Sequence, residues 1–296
     1  GIERPVTKDE IEKKFGDSVY SILEGMAKIN ALGTDTVDIH AENYRKLLLA
    51  LAGDVRVILV KTADRLQVMR NLDYYDSEAR KRLVNETSHL YAPLAHRLGL
   101  YSINSEMLDL CLKYQKPVDY NYITERLKEN EFERSRFVAE FVKPVEKILK
   151  ERGYDFSMKA RTKSIYSIWN KMQNKRVSFD EVMDLFAIRI ILDSQPSNEK
   201  ADCWTVYSVV TEQYQANPER FRDWITIPKS NGYESLHTTV MGPQGKWVEV
   251  QIRTKRMDEI AEKGLAAHWK YKGGKGGASF DSWLAGIREV LENPEL

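Results

Sequence analysis

The chain has 296 residues, with 45 Lys/Arg against 44 Asp/Glu, a net charge of +1 and 30% charged residues. At roughly 150 residues per domain, that length predicts two domains, and the balanced charge excludes a generic nucleic-acid coat. No apolar run approaches the ~18 residues of a bilayer-spanning helix, and the N-terminal GIERPVTKDE lacks the apolar core of a secretory signal. Cys111 and Cys203 lie 92 positions apart, with neither disulfide-framework nor zinc-ligand spacing, which fits a reducing compartment.

In chain order, residues 1 to about 153 read as almost entirely helical. Ile11, Phe15, Val19, Ile22 and Leu23 recur at helical spacing, and residues 43–50 continue the rhythm. A buried helix is predicted over 54–71 and another over 77–98, bent at Pro93. Lys116-Pro117 reads as a connection and helix start, and a long charged helix over 131–150 ends at Gly153. The texture then changes. Short strands are predicted over 155–159 and 185–192, with helices over 164–172 and 203–214. Two further strands, 237–241 and 247–253, are joined by the turn Gly242-Pro243-Gln244-Gly245. An amphipathic helix over 254–270 and a Gly-rich link over 273–277 precede a last short helix. The pattern predicts a small mixed sheet, partly antiparallel, and no internal repeat.

Charge is unevenly placed. Between Lys143 and Arg176 stand ten Lys/Arg and three acids, a local excess of +7. A solvated helix face explains part of this and is one of two open readings for the lysines at 143 to 150. Arg161 and Lys163 differ, because they follow a strand and precede a helix that opens with Ser164 and Ser167, with Lys171 one turn on. Cations and hydroxyls at a helix N-terminus suit polyphosphates. Two carboxylates stand out, Asp184 at the mouth of LFAIRIIL and Glu249 inside WVEVQIRT. Period-2 geometry puts Glu249, Gln251 and Arg253 on one strand face, which either meets water or, if Asp184 converges on Glu249, holds Mg²⁺. The loop Lys229-Ser230-Asn231-Gly232-Tyr233, with His237 beyond it, is a candidate nucleobase platform or simply a turn with a packed tyrosine.

These segments carry a resemblance. Arg161, Lys163 and Ser167 as R-x-K-x-x-x-S, then DLFAIRIIL, RFRDWITIPKSNGYESLHTTV and VEVQIRT, resemble in order and spacing the RelA/SpoT (long Rel) family of stringent-response enzymes. Upstream, VKTADRL and YAPLAHRLGL resemble its helical region. The resemblance implies an α+β protein. An all-helical HD-like domain with linking helices over 1–115 would precede a nucleotidyltransferase-like α/β synthetase domain with a mixed sheet over 116–296, its core at about 154–272. It implies a (p)ppGpp synthetase that transfers pyrophosphate from ATP to the 3′-hydroxyl of GDP or GTP with Mg²⁺. Asp184 and Glu249 resemble the metal-binding and catalytic acids, and Arg161, Lys163, Ser167 and Lys171 the ATP side. Tyr233 resembles the residue that stacks on guanine, with Lys229, Asn231, His237 and Gln251 around that nucleotide. The family's usual Gly-Arg-Pro-Lys start is Ala160-Arg161-Thr162-Lys163 here.

Long Rel proteins often carry an HD-type, Mn²⁺-dependent hydrolase in the helical half. Of that metal site only Asp64 is recognisable; His40, His89 and His96 form no HD pair, and His89 and His96 read as structural. Val68 stands where the family commonly has an asparagine, and valine cannot ligate a metal. The Mn²⁺ site is therefore expected to be incomplete and hydrolysis absent from this chain. Arg220-Phe221-Arg222-Asp223 pulls the other way, resembling a basic motif of bifunctional members. The sequence as it stands reads as a bacterial, cytoplasmic catalytic fragment without membrane or DNA partners. Regulatory C-terminal domains and ribosome contact are expected only of a full-length protein. Two competing readings are a guanine-nucleotide-binding regulatory module with little catalysis and an RNA-acting nucleotidyltransferase.

Overall fold

The computed structural model describes residues 7–31, 55–182, 185–229 and 232–263. The elements predicted over 43–50, beyond 263 and across the Gly-rich link lie outside them.

The helical half begins with α1 (Lys8–Phe15), whose Thr7 and Glu10 form a reciprocal capping box. Gly16, at φ +84°, then breaks what the sequence suggests is one continuous apolar stripe, so the chain restarts as α2 (Asp17–Ala31). Helix α3 (Val55–Arg70) follows the predicted buried span. The predicted 77–98 helix is three pieces: α4 (Ser77–Glu86), a π turn (Thr87–Tyr91) and α5 (Ala92–Arg97). Pro93 sits in the first turn of α5, directly after the π turn, whose wider ring accommodates the proline inside a continuous helical run.

Helix α6 (Tyr101–Gln115) is the spine of the molecule. Its Met107, Cys111 and Leu112 are buried, Met107 against Leu90, Leu94 and Leu98, and Cys111 beside Met69 and Leu72. Helix α7 (Pro117–Glu129) turns back, and α8 (Glu131–Glu151) runs to Gly153, whose φ of +76° ends it. Along α8, Phe137, Phe141, Val145 and Leu149 recur every fourth residue and are all buried. The intervening Lys147 and Lys150 pair with Glu151 and Glu146 in exposed i,i+4 bridges, as a solvated face requires.

Five strands make one sheet in the order β1-β2-β5-β4-β3. They are β1 (Phe156–Thr162), β2 (Phe186–Leu192), β3 (Arg222–Asp223), β4 (Leu236–Met241) and β5 (Trp247–Thr254). Helix α9 (Ile165–Lys175) connects β1 towards β2, α10 (Glu199–Gln213) follows β2, and α11 (Lys255–Lys263) leaves β5. The central pair β2–β5 is parallel, while β1–β2, β4–β5 and β3–β4 are antiparallel, so the sheet is mixed as predicted. The two-residue β3 was not visible in the sequence, because two residues carry no alternation.

Alternation sorts the two sheet faces. Ile188, Ile190, Leu192, Val240, Val248, Val250 and Ile252 lie under α8 and α10, with Val206, Val209 and Val210 of α10 completing the core. The opposite face carries ionisable groups in rows. Arg161, Ala187, Glu249 and Thr239 pair across four strands, and Lys159, Arg189, Gln251, His237 and Arg222 form the next row.

Candidate active site

Glu249 stands at the centre of the ionisable face, its side chain 20% exposed. Its Oε2 lies 3.4 Å from Lys163 Nζ, and its Oε1 accepts from Gln251 Nε2 at 2.9 Å and lies 3.7 Å from His237 Nδ1. Burial pushes the Glu249 carboxyl up. Lys163, Gln251 and His237 together outweigh that, and the group sits below its ordinary value. It is an anion at neutral pH. His237 goes the same way for a different reason: burial, with Arg253, Lys229 and Arg189 around it, lowers the imidazole to about 4 against the pull of Glu249. It is neutral at pH 7 and shares a 2.7 Å hydrogen bond between Nε2 and the Tyr233 hydroxyl.

Local structure explains how Lys163 arrives there. Thr162 ends β1 and Lys163 N donates to Leu185 O at 2.9 Å, tying the β1–α9 connection to the residue before β2. Ser164 then caps α9, accepting from Ser167 N, with the two hydroxyls 2.8 Å apart. Asp109 of α6 accepts from Tyr166 N at 2.7 Å. First-turn amides of α9 are therefore engaged by protein oxygens. Burial raises the Asp109 carboxyl even though the Tyr166 and Ile165 amides pull it down.

The loop that leads into β4 is built around Tyr233. Its backbone is pinned by Lys229 N to Tyr233 O at 3.1 Å and Gly232 N to Lys229 O at 2.8 Å. Lys229 Nζ lies 5.3 Å from the Tyr233 ring centre and 4.9 Å from that of Trp224. Four rings stack edge to face across the two halves: His96 to Tyr101 at 5.3 Å, Tyr101 to Tyr233 at 5.8 Å, and Tyr233 to His237 at 5.8 Å. Tyr233 is 8% exposed, so in this structure the ring is packed against the helical half. His96, read from sequence as structural, is the first ring of this series, and burial and the nearby Lys229 lower its pKa.

The structure thus brings together Lys163, Glu249, Gln251, His237, Tyr233 and Lys229. Arg161 shares the Glu249 row from the exposed strand β1, and Lys171 lies one turn after Ser167 on α9. Asp184 and Asn231 lie outside the described residues. The sequence-based set omitted Arg189, 7% exposed, which pairs in register with Gln251. Its Nη1 meets Glu262 of α11 at 2.8 Å, while its Nε and Nη2 are buried without a hydrogen-bond partner among the described residues. Arg253, 1% exposed, lies 2.7 Å from Asp258. A lone arginine inside the apolar run LFAIRIIL was the available signal, since a strand with one apolar face still has a second face to fill. Arg222 is exposed and donates to the backbone carbonyls of Glu219 and Phe221, and Asp223 caps the turn at Ile225 and Thr226.

In the helical half, Asp64 has a 55% exposed side chain 3.5 Å from Lys61, with Val68 one turn further along α3. No cluster of three or more metal-ligating side chains occurs among the described residues. Nor is any described helix long and apolar enough to cross a membrane.

Comparison with known proteins places this geometry. The family described as "Region found in RelA / SpoT proteins" matches residues 160–276, and an HD-domain description matches residues 2–101. The chain is 41% identical over 290 residues to the guanosine-3′,5′-bis(diphosphate) 3′-pyrophosphohydrolase of Aquifex aeolicus, covering 97% of this chain and 40% of that protein. It is 40% identical over 291 residues to the GTP pyrophosphokinase of Myxococcus xanthus, covering 97% and 38%. The small alarmone synthetase 1 of Bacillus subtilis, solved with pppGpp, aligns with 57% of this chain and 92% of its own at 19% identity and a TM-score of 0.37. The chain spans about two-fifths of the length of these curated relatives. With the RelA/SpoT region on its sheet half, the HD match on its helical half and full-span identity near 40%, the chain belongs to the RelA/SpoT family.

Proposed function

We propose that the sheet half is a (p)ppGpp synthetase that moves a pyrophosphoryl group from ATP to the 3′-hydroxyl of GDP or GTP. The observation that carries this reading is the ionised, largely buried Glu249, held between Lys163 on one side and the Gln251–His237–Tyr233 group on the other. In the reaction the ribose 3′-oxygen bonds to the β-phosphorus of ATP, the bond from that phosphorus to the α–β bridging oxygen breaks, and AMP leaves. Glu249 accepts the hydroxyl proton. Its lowered pKa makes it a weak base, so positioning of the two nucleotides supplies more of the acceleration than proton transfer. Lys163 and Arg161, with Ser167 and Lys171 on α9, face the ATP phosphates and offset charge as it develops. Tyr233 stacks on guanine once its ring leaves Tyr101, with Lys229, Asn231, Gln251 and the neutral His237 around the nucleotide.

The donor set fits Mg²⁺. Glu249 offers anionic carboxylate oxygens, and Asp184, the neighbour in sequence of Leu185, is the second acid. Mg²⁺ takes one or two carboxylates and fills the rest of its shell with water and phosphate oxygens. When bound there it supplies charge neutralisation on the phosphates and acidifies the attacking hydroxyl.

Relatives bear both synthetase and hydrolase names, and we infer that this chain lacks the second activity. Asp64 is open to solvent beside Lys61, and Val68 presents no donor atom one turn on. Mn²⁺ and ppGpp should yield no GDP. Release at an ordinary enzymatic rate would refute that inference.

Incubation with ATP, GDP or GTP and Mg²⁺, followed by anion-exchange separation, should give the 3′-pyrophosphorylated guanine nucleotide and AMP in equal amounts. Guanine-nucleotide binding with no AMP formed would favour the regulatory-module reading, which the covered Tyr233 ring otherwise supports.

A further inference from the structure

A second charged group, apart from the Glu249 cluster in its hydrogen bonds, links the loop before β4 to α10 and α11. Arg256, in the first turn of α11, reaches Glu234 through Nη1 at 2.6 Å and Glu199, at the start of α10, through Nε at 2.8 Å. Glu199 is anchored again by Thr254, whose hydroxyl donates to its other oxygen at 2.6 Å. Both carboxylates are largely buried, at 12% and 18% side-chain exposure, and the guanidinium is 31% exposed. This is a shared, partly desolvated network of charge-assisted bonds, a different case from an isolated surface pair.

Its position gives it a task. Glu234 follows Tyr233 directly. The loop is pinned before that point by the Lys229–Tyr233 backbone bond. It is pinned after it by Trp224 N to Ser235 O at 3.0 Å and by the Ser235 hydroxyl on Ile252 O at 3.1 Å. Between those two anchors, the side chain of Glu234 ties the backbone to α10 and α11 while the Tyr233 ring meets His237 and Tyr101. Rotation of the Tyr233 backbone is therefore limited by the Arg256 bridge.

We propose that Glu234, Arg256 and Glu199 form a clamp that positions Tyr233 and His237 for the guanine nucleotide, setting its affinity without touching the reacting atoms. The proposal rests on the synthetase reading above. These are positioning residues, so the effect falls on guanine-nucleotide binding. The α10–α11 tether holds the platform, and the clamp's hydrogen bonds among the described residues run to Glu199, Glu234 and Thr254, apart from β1 and α9 on the ATP side.

The test is a double-mutant cycle with Glu234→Gln and Arg256→Gln. Steady-state synthesis is measured against GDP at saturating ATP and against ATP at saturating GDP, with calorimetric GDP titration alongside. Each single variant should raise the KM and Kd for GDP roughly three- to tenfold, with kcat and the KM for ATP within about twofold. The double variant should match the worse single one, because one bridge is broken in all three. Arg256→Lys, which keeps the charge but not the two-sided reach, should recover part of the affinity. An unchanged KM for GDP, a parallel loss in kcat and ATP affinity, or effects that multiply in the double variant would each overturn the clamp. Wild-type protein that neither binds GDP nor forms product would instead sink the synthetase reading. Intact wild-type turnover with unaltered variants would sink the clamp alone.

Discussion

The two faces of the five-stranded sheet are written by alternate residues of the same strands, yet different forces hold them. Beneath α8 and α10, Ile188, Ile190, Val248, Val250 and Ile252 are fully buried and ask only for volume. On the other face, Glu249, Gln251, Arg189, Arg253 and His237 are largely removed from water as well, but each needs a specific partner. One face specifies the fold, and the other uses the fold's rigidity to hold charges that would repel or hydrate in a looser frame. Burying so many ionisable groups is costly unless they are paired. The pairing here runs through Lys163, α11 and the first turn of α6.

Variants sharpen this contrast, beginning with the largest expected effect. Lys163→Met removes the cation beside Glu249 and should lower kcat/KM on the order of 100-fold or more. It also removes a strong downward pull on the Glu249 carboxyl, which should titrate higher by NMR. Little change in either would break the assignment of that face to catalysis. Ile190→Ala tests the opposite face. About 2–5 kcal/mol of stability should be lost by denaturant unfolding, while KM values per folded molecule stay near wild type. A selective KM change would show that the faces are not separable. Tyr233→Ala should weaken GDP binding roughly tenfold, with ATP binding largely kept. Unchanged GDP affinity would count against stacking. The last is a pH dependence of stability, spread over more than two pH units. The folded-state pKa of His237 is lowered to about 4, so the unfolded chain takes up its proton first as pH falls. The stability it contributes is present above pH ~6.5 and is lost towards about 4, with a slope of up to about 1.4 kcal/mol per pH unit that His237→Gln should flatten. A wild-type profile as flat as the variant's would remove His237 from the buried cluster.

Much of the architecture was legible in the sequence because it rests on periodicity. The apolar β2 run, the β4–β5 hairpin and the fourfold spacing along α8 each announce themselves locally. The placement of Glu249, Gln251 and Arg253 on one strand face followed from alternation alone. The meaning of that face did not. Period 2 cannot say whether a polar face meets water or packs, and here α11 and the first turn of α6 cover it through Glu262, Ser102 and Tyr101. The partnership of Asp109 with α9 joins residues 57 positions apart and leaves no mark in either segment. Likewise, the break at Gly16 and the π turn before Pro93 are decided by backbone geometry inside stretches whose hydrophobic rhythm continues across them.

The proposed synthesis turns on the ionised Glu249 of the polar sheet face. Comparing wild type with Glu249→Gln, using ATP, GDP and Mg²⁺ and quantifying AMP and pyrophosphorylated guanine nucleotide, tests it most directly. Wild type should turn over, and Glu249→Gln, still folded and still binding GDP, should fall by about 100-fold or more. Equal turnover by the two proteins would contradict it.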